Sequence, residues 1–532
     1  MFEIDTASDY RDLLERLNTF LTATGSAFGL TYQGTGNGTL TGYKGGSASI
    51  SETWTITFAN ANVFSVSGSE SGGQANGSVG TAYASDNPAD RCAFIVSPGG
   101  ADFVSGDVFT FSTAPKWISR RHSRGARVTA SGGTSGQYAC DNVIDGKLAY
   151  DSSRTWTPGT APRTLQFDFP AALTIVEYAI QGPYTQSCAP RTWTFEYWDG
   201  SAWQVLDTRT NITSWGSGEL KVFTLASTHS ASRVRLNITV GNSTTLNVDA
   251  VQLRTVVNGP DVAMSQYIWE APGNDGESAI IVGAHAFQRT DVDYYDWELC
   301  AFTGFSAALP FYTQPGYHGR LWLPLLNSSI PYWFVADGRH VKIVAKVGTQ
   351  YESAYMGFLE PFFTPEQVPY PIVLGGSLTI NSTDGLVLWN NILLRYSNST
   401  NGHRAFTHSD DNAWGYPYAA QTRARRPDGT WASFFASSDD SFTAPTLTRG
   451  WLWPLSHGMT NLDVCIDGSY ALFPLALSDT TPNHWGQFSG ISVLSGQGLS
   501  AETLIRTGAV DHLVVPNITR TDRNDFFAMR LD

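Results

Sequence analysis

The sequence predicts an all-β, multidomain protein, on three observations. Charged residues make up only 15% of the 532 positions, aromatics reach 13% and glycines number 51, a composition of short strands and tight turns. Apolar and polar residues alternate over short runs such as Trp54, Ile56 and Phe58, the period of a strand with one buried face. Helical periodicity is convincing in a single segment, near the start. A chain of this length exceeds one core, and roughly three domains of about 100–200 residues are expected. They are read as 1–118, an N-terminal amphipathic helix plus β domain; 119–257, a central β-sandwich; and 258–532, a C-terminal β-rich region with a further split near 376.

Residues 8–22 place Tyr10, Leu13, Leu14, Leu17, Phe20 and Leu21 on one helical face. Asp5, Thr6 and Ser8 are candidate caps, and Gly25 marks the end. Such a helix either covers the sheet that follows it or docks on a partner. Glycine-punctuated strands come next, at Trp54 to Phe58, Phe64 and Val66, Phe94 and Val96, and Phe109 and Phe111. The one basic run, Lys116 to Arg127, is expected to be a solvated linker between domains. Beyond Asn258 the strands lengthen and become more aromatic, at Asp293 to Leu299, Leu321 to Leu325, Tyr332 to Val335 and Val341 to Val347. Pro365, Pro369 and Pro371 confine their region to an edge or loop, because proline cannot donate to a central ladder.

The segment 125–257 has the most distinctive order of landmarks. It contains Ile144, Asp145 and Gly146, then Trp156, an alternating strand from Leu165 to Phe169, and a second strand from Thr192 to Trp198. Asp199 and Gly200 before Trp203 form a strong hairpin signal. Arg233, Val234 and Arg235 precede a last strand from Val248 to Leu253. This order resembles the discoidin (coagulation-factor type C) family, over about a quarter of the chain. The resemblance implies a jelly-roll β-sandwich with Asp168 turned inward, and binding of sugars or lipid head groups through loops at one end. Several family members hold calcium near the turn, which would here involve Asp145, Ser152 and Thr155. This sequence departs from that pattern, since Ala250 stands where an acidic residue is expected and calcium takes six to eight oxygen ligands with carboxylates among them. No cofactor is therefore expected.

A sugar site needs an aromatic platform flanked by planar or charged hydrogen-bonding groups. Tyr150, Arg154, Arg163, Tyr184, Gln186 and Arg191 lie between the predicted strands and supply them. Trp156, Trp193 and Trp203 are assigned to the core.

A balance of 33 basic against 47 acidic residues, net −14, disfavours nucleic acid as a partner, since phosphate neutralisation needs clustered cations. Cys92, Cys140, Cys188, Cys300 and Cys465 are widely spaced and include no C-x-x-C pair; Cys140 and Cys188 are a conceivable pair within the sandwich. The opening residues lack the pattern of a signal peptide, and no apolar run approaches the length of a membrane span. Synthesis in a cytoplasm without membrane insertion is the expectation. The runs 53–72, 101–113, 338–377 and 485–532 resemble virion proteins of tailed phages, which implies other tail or baseplate proteins as partners and several copies of this chain per particle.

Phosphate-cradle, zincin, nucleophile-elbow and zinc-knuckle signatures are missing from the sequence. Asp291, Asp293, Asp296 and Glu298 form the densest acidic cluster, read as exposed strand carboxylates rather than the pair of a glycosidase. His403 and His408 read as a surface loop. The expected function is non-enzymatic: a structural part of a phage tail tip or baseplate whose sandwich adheres to host-surface glycan. The alternatives are a polysaccharide-acting enzyme targeted by the sandwich, or a ligand-free spacer.

Overall fold

The computed structural model describes residues 2–23, 25–46, 48–50, 52–114, 116–132, 138–144, 155–259, 261–271, 279–289, 294–360, 372–379, 405–407, 422–425, 430–436, 449–454, 469–479, 484–508, 510–518 and 525–532. Asp145, Tyr150, Ser152, Arg154, Asp291, Asp293, Pro365, Pro369, Pro371, His403, His408 and Cys465 lie outside the described residues. The chain is predominantly β-sheet, with one α-helix, Tyr10–Ala23, among the described residues.

The alternating strands of the N-terminal region pair as expected. A six-stranded sheet containing Ser26–Gln33, Val108–Ala114, Glu52–Phe58 and Val63–Gly68 shares a core with a three-stranded sheet of Thr39–Gly45, Ala89–Ser97 and Ala82–Asp86. Trp54, Ile56, Phe58, Phe64, Val66, Phe94, Val96, Phe109 and Phe111 all enter it.

The helix does not cover this sheet. All six of its predicted apolar residues are buried, but against strands more than two hundred positions away. The indole Nε1 of Trp297 donates to the Tyr10 carbonyl at 2.8 Å, and that of Trp269 to Asn18 Oδ1 at 3.0 Å. The preceding strand, Phe2–Ala7, pairs antiparallel with Ile330–Ala336. Its cap also differs from expectation. Asp9 Oδ1 accepts the N–H groups of Arg11 and Asp12, and Asp12 accepts that of Ser8, which satisfies donors that the first turn leaves open.

The basic run is not a solvated linker. Ile118–Arg124 is the edge strand of a six-stranded sheet, paired with Ser265–Ala271. Arg121 is buried and donates to the Leu309 carbonyl at 2.7 Å. The rest of that sheet is Ile280–Arg289, Tyr294–Phe302, His318–Leu325 and Leu378–Thr379. It packs directly on a thirteen-stranded sheet that begins at Phe2–Ala7 and ends at Leu504–Thr507, and the helix shares the core of both. Gln350–Phe358 in that large sheet is buried along its whole length. Ala354 and Met356 enter one core while Tyr351 and Tyr355 enter another, so the strand has no solvent face and no need to alternate. At the expected split near 376, Ile372–Gly375 and Thr422–Arg425 are hydrogen-bonded neighbours in this same sheet.

Residues 127–254 form a β-sandwich. One sheet has the order Arg127–Ala130, Arg163–Thr174, Ser230–Gly241, Pro190–Trp198 and Trp203–Arg209; the other is Leu220–Thr224, Glu177–Gln181 and Ala250–Arg254. Their inner faces meet in a core that includes Trp156, Leu165, Phe167, Trp193, Phe195, Leu236 and Leu253. The Asp199-Gly200 hairpin pairs Trp198 with Trp203, with Gly200 at φ 105°, a conformation glycine adopts without a Cβ penalty. Two expectations are corrected. Asp168 faces outward, because Phe167 and Phe169 on either side occupy the core, and it pairs with Arg233 at 2.6 Å. Trp203 is half-buried on the outer face of the sheet, outside the core that holds Trp156 and Trp193. Cys140 and Cys188 do not form a disulfide with each other.

Candidate functional site

Strand direction gathers the described candidate residues, Arg163, Tyr184, Gln186 and Arg191, at one end of the sandwich. Ala130 pairs with Leu165, Trp193 with both Ile238 and Arg209, and Gln181 with both Leu220 and Ala250. The connections 160–162, 182–189, 210–219 and 242–245 therefore all leave from this end, as does the chain after Ala130, while the Asp199-Gly200 hairpin lies at the other.

Tyr184, in the connection 182–189, is 55% exposed. Gln186 follows it on the exposed side of a 3-10 turn, Gln186–Cys188. Arg191 begins the next strand, and its Nε and Nη2 both donate to Asn211 Oδ1, at 3.0 and 2.5 Å. Asn211 itself sits at φ 55°, where asparagine is among the better tolerated residues. The pair leaves an exposed planar guanidinium and amide side by side. Arg163 lies at the same end but is directed to the backbone, its Nε donating to the Pro158 carbonyl at 2.9 Å and its Nη1 to that of Pro162 at 3.4 Å. Its role is to fix the loop 158–162. Of the nominated residues that are described, the structure brings Tyr184, Gln186 and Arg191 onto one stretch of rim and gives Arg163 a supporting place.

Sequence reasoning missed Trp215 and Asn211. Trp215 is buried beneath the rim, donates its Nε1 to the Pro190 carbonyl at 3.0 Å, and carries the Lys221 ammonium over its ring at 5.3 Å. A Cβ at Gly182 would lie 2.6 Å from the Trp215 ring, so this close approach requires glycine there. Neither residue has local periodicity to announce it, since both lie in a connection.

The implied calcium position can be tested in part. Thr155 is buried and its hydroxyl has no hydrogen-bond partner among the described residues; the same holds for Thr157 Oγ1 and Asn247 Oδ1 nearby in the fold. Ala250 presents only a methyl group from its buried strand position. No group of three His, Cys, Asp or Glu side chains suited to a metal ion occurs among the described residues. Neutral buried oxygens of this kind are as well served by water, and Asp249, next in sequence to Ala250, is a buried carboxylate.

No family model matches the chain, and no curated protein matches it. Solved structures do. The family 32 carbohydrate-binding module of NanJ from Clostridium perfringens, in complex with galactose, is 13% identical over 24% of this chain and 92% of that one, with a TM-score of 0.21. The family 32 module of EndoD from Streptococcus pneumoniae is 15% identical over 25% and 97%, with a TM-score of 0.22. A chitosan-binding module from a Paenibacillus sp. IK-5 chitosanase/glucanase, in complex with chitotriose, is 12% identical over 24% and 95%, with a TM-score of 0.21. The class defined by this chain's own strand order is a predominantly β-sheet protein that carries a β-sandwich over about a quarter of its length. At these identities and scores the likeness carries no argument about ligand or site residues.

Proposed function

We propose that the sandwich is a glycan-binding module and that its loop end, around Tyr184, is the contact surface. The observation that carries this reading is the placement of an exposed tyrosine beside Gln186 and the Arg191–Asn211 pair on a rim built by several converging loops. A tyrosine ring offers an apolar face to the C–H side of a sugar, while amide and guanidinium groups bond its hydroxyls. A smooth, aromatic-free loop end would instead suit a spacer, and exposed Tyr184 and Tyr138 speak for a ligand. The full chain and Tyr184→Ala should be compared on an array of bacterial surface glycans. Binding by the wild type that drops with the substitution supports the reading; equal signals from both, or none from the wild type, sink it.

The wider reading is a non-enzymatic structural component of a tailed-phage particle, at its tail tip or baseplate, with the module directed at host glycan. The phage-like runs 53–72, 101–113, 338–377 and 485–532 support it. Several copies on one particle would strengthen weak single-site binding through high effective concentration. Immunogold labelling of purified particles tests it, and label absent from virions would overturn it.

An enzyme acting on polysaccharide is the second reading, and one observation speaks against it. Asp296 and Glu298 share one strand face and are buried, not exposed as their sequence suggested. Glu298 accepts the hydroxyls of Tyr312 at 3.2 Å and Tyr317 at 2.8 Å. Both carboxylates are closed off from solvent, which suits an interior network better than the open cleft of a glycosidase. Unchanged release of reducing ends by Glu298→Gln would remove this reading.

A further inference from the structure

The connection 182–189, which carries Tyr184 and Gln186, is an arch with buried feet and an exposed crown. Gly182, Pro183, Ala189 and Pro190 are buried, while 184–187 are exposed. The two prolines fix φ at the feet. Within the arch, the N–H groups of Cys188 and Ala189 donate to the Thr185 and Gln186 carbonyls, at 2.8 and 3.2 Å. A crown this short keeps its shape only while its feet are held.

One side chain holds both feet. Trp215 is the single buried residue of the connection 210–219. Its ring lies against Gly182 at the first foot, and its Nε1 donates to the Pro190 carbonyl at the second. The indole is itself fixed by its neighbours. Lys221, over its ring, pairs with Glu219 at 2.8 Å; the Glu219 carboxylate accepts the Gly216 N–H at 2.6 Å, and the Glu219 carbonyl accepts the Gly182 N–H at 2.9 Å. The start of the same connection reaches the strand that follows the arch, where the Ile212 N–H donates to the Arg191 carbonyl at 2.9 Å. Asn242 adds the third connection, its Nδ2 donating to the Ile212 carbonyl at 3.2 Å and its N–H to that of Ala189 at 3.0 Å. The connections 182–189, 210–219 and 242–245 are thus locked to one another, with Trp215 at the point where both feet of the arch meet.

We infer that Trp215 is the positioning residue of the glycan-binding rim: without touching the sugar, it holds Tyr184 and Gln186 in one arrangement before the sugar arrives. This role rests on the rim reading given above. Its physical content is preorganisation. Fixing one residue's backbone corresponds to roughly tenfold in an equilibrium constant, so a crown already ordered in the free protein spares the complex that cost.

The test compares the full-length protein with Trp215→Ala, Gly182→Ala and Leu225→Ala, by hydrogen exchange without ligand and on the array of bacterial surface glycans. Gly182→Ala keeps the indole but brings a methyl to 2.6 Å from its ring, so it displaces the foot even where Trp215→Ala fails to fold. Leu225 belongs to the same core but lies at the far end, its N–H donating to the Val176 carbonyl at 2.9 Å. Leu225→Ala therefore separates loss of core from loss of positioning. The expected result is exchange at the Cys188 and Ala189 amides faster by about tenfold or more in Trp215→Ala and Gly182→Ala, with the array signal lost, and wild-type behaviour of both in Leu225→Ala. Unchanged exchange at 184–189 in Trp215→Ala and Gly182→Ala, or the same acceleration in Leu225→Ala, overturns the role and leaves the rim reading intact. Faster exchange with the array signal retained also overturns it. A wild type that gives no array signal sinks the rim reading, and this role with it, whatever the exchange shows.

Discussion

Asp261 Oδ1 accepts the backbone N–H of Leu253 at 3.1 Å and that of Ala263 at 2.8 Å, so one buried carboxylate closes the end of the sandwich onto the strand that leaves it. Burial outweighs these bonds and the nearby Arg254 and Arg121, and pushes the carboxyl up to about 6.

An acid whose folded value is raised loses stability as pH climbs from its unfolded value, near 3.9, through its folded one. Above that window the charged form costs the fold about 1–3 kcal/mol. Asp261→Asn keeps the accepting oxygen without the charge. Chemical denaturation should show the variant more stable than wild type at pH 7.5 and indistinguishable from it near pH 4. A less stable variant at pH 7.5 would mean that ionised Asp261 is worth more to the fold than its burial costs.

His285 gives the opposite dependence. It is buried, its Nδ1 lies 2.5 Å from the Tyr312 hydroxyl, and burial pushes its value down to about 3. The unfolded chain takes up a proton near pH 6.5 that the folded chain refuses, so stability is lost as pH falls below that value. Between pH 7 and pH 5 the loss is about 2 kcal/mol. In His285→Gln that part of the slope should vanish in denaturant titrations; a slope identical to wild type would show His285 taking its proton in the folded state.

Core and rim of the sandwich should respond differently. Trp193 is buried and donates its Nε1 to the Tyr178 hydroxyl at 3.0 Å, which in turn donates to Asp207 at 2.7 Å. Trp193→Ala should cost about 3–5 kcal/mol. Tyr184→Ala, at an exposed rim position, should stay within about 0.5 kcal/mol. Thermal melts of the two variants check this contrast, and a large loss from Tyr184→Ala would give that residue a structural role.

The helix offers a test at a distance. Leu17 is fully buried in the core shared with Trp297, Leu323 and Ile343. Leu17→Ala should cost about 2–5 kcal/mol and raise hydrogen exchange in 265–347, with 52–66 unaffected. Faster exchange confined to 52–66 would place the helix against the sheet that follows it in sequence.

What the sequence determined by itself was local. Amphipathic spacing identified the buried face of Tyr10–Ala23, alternation identified the inward residues from Trp54 to Phe111, and Asp199-Gly200 marked its hairpin, because each of these depends on backbone geometry within a few residues. It also nominated Tyr184, Gln186 and Arg191, since residues between strands gather where strands end. The tertiary structure alone decided the partners. Periodicity states which face is apolar but not what covers it, so the helix and Phe2–Ala7 join strands some three hundred residues on. The basic run became a sheet edge for the same reason. Glu298 is buried because the connection that carries Tyr312 and Tyr317 closes over its face, and Trp203 stays half-exposed because nothing closes over its own. Burial is a property of two surfaces meeting, and one strand's sequence records only one of them.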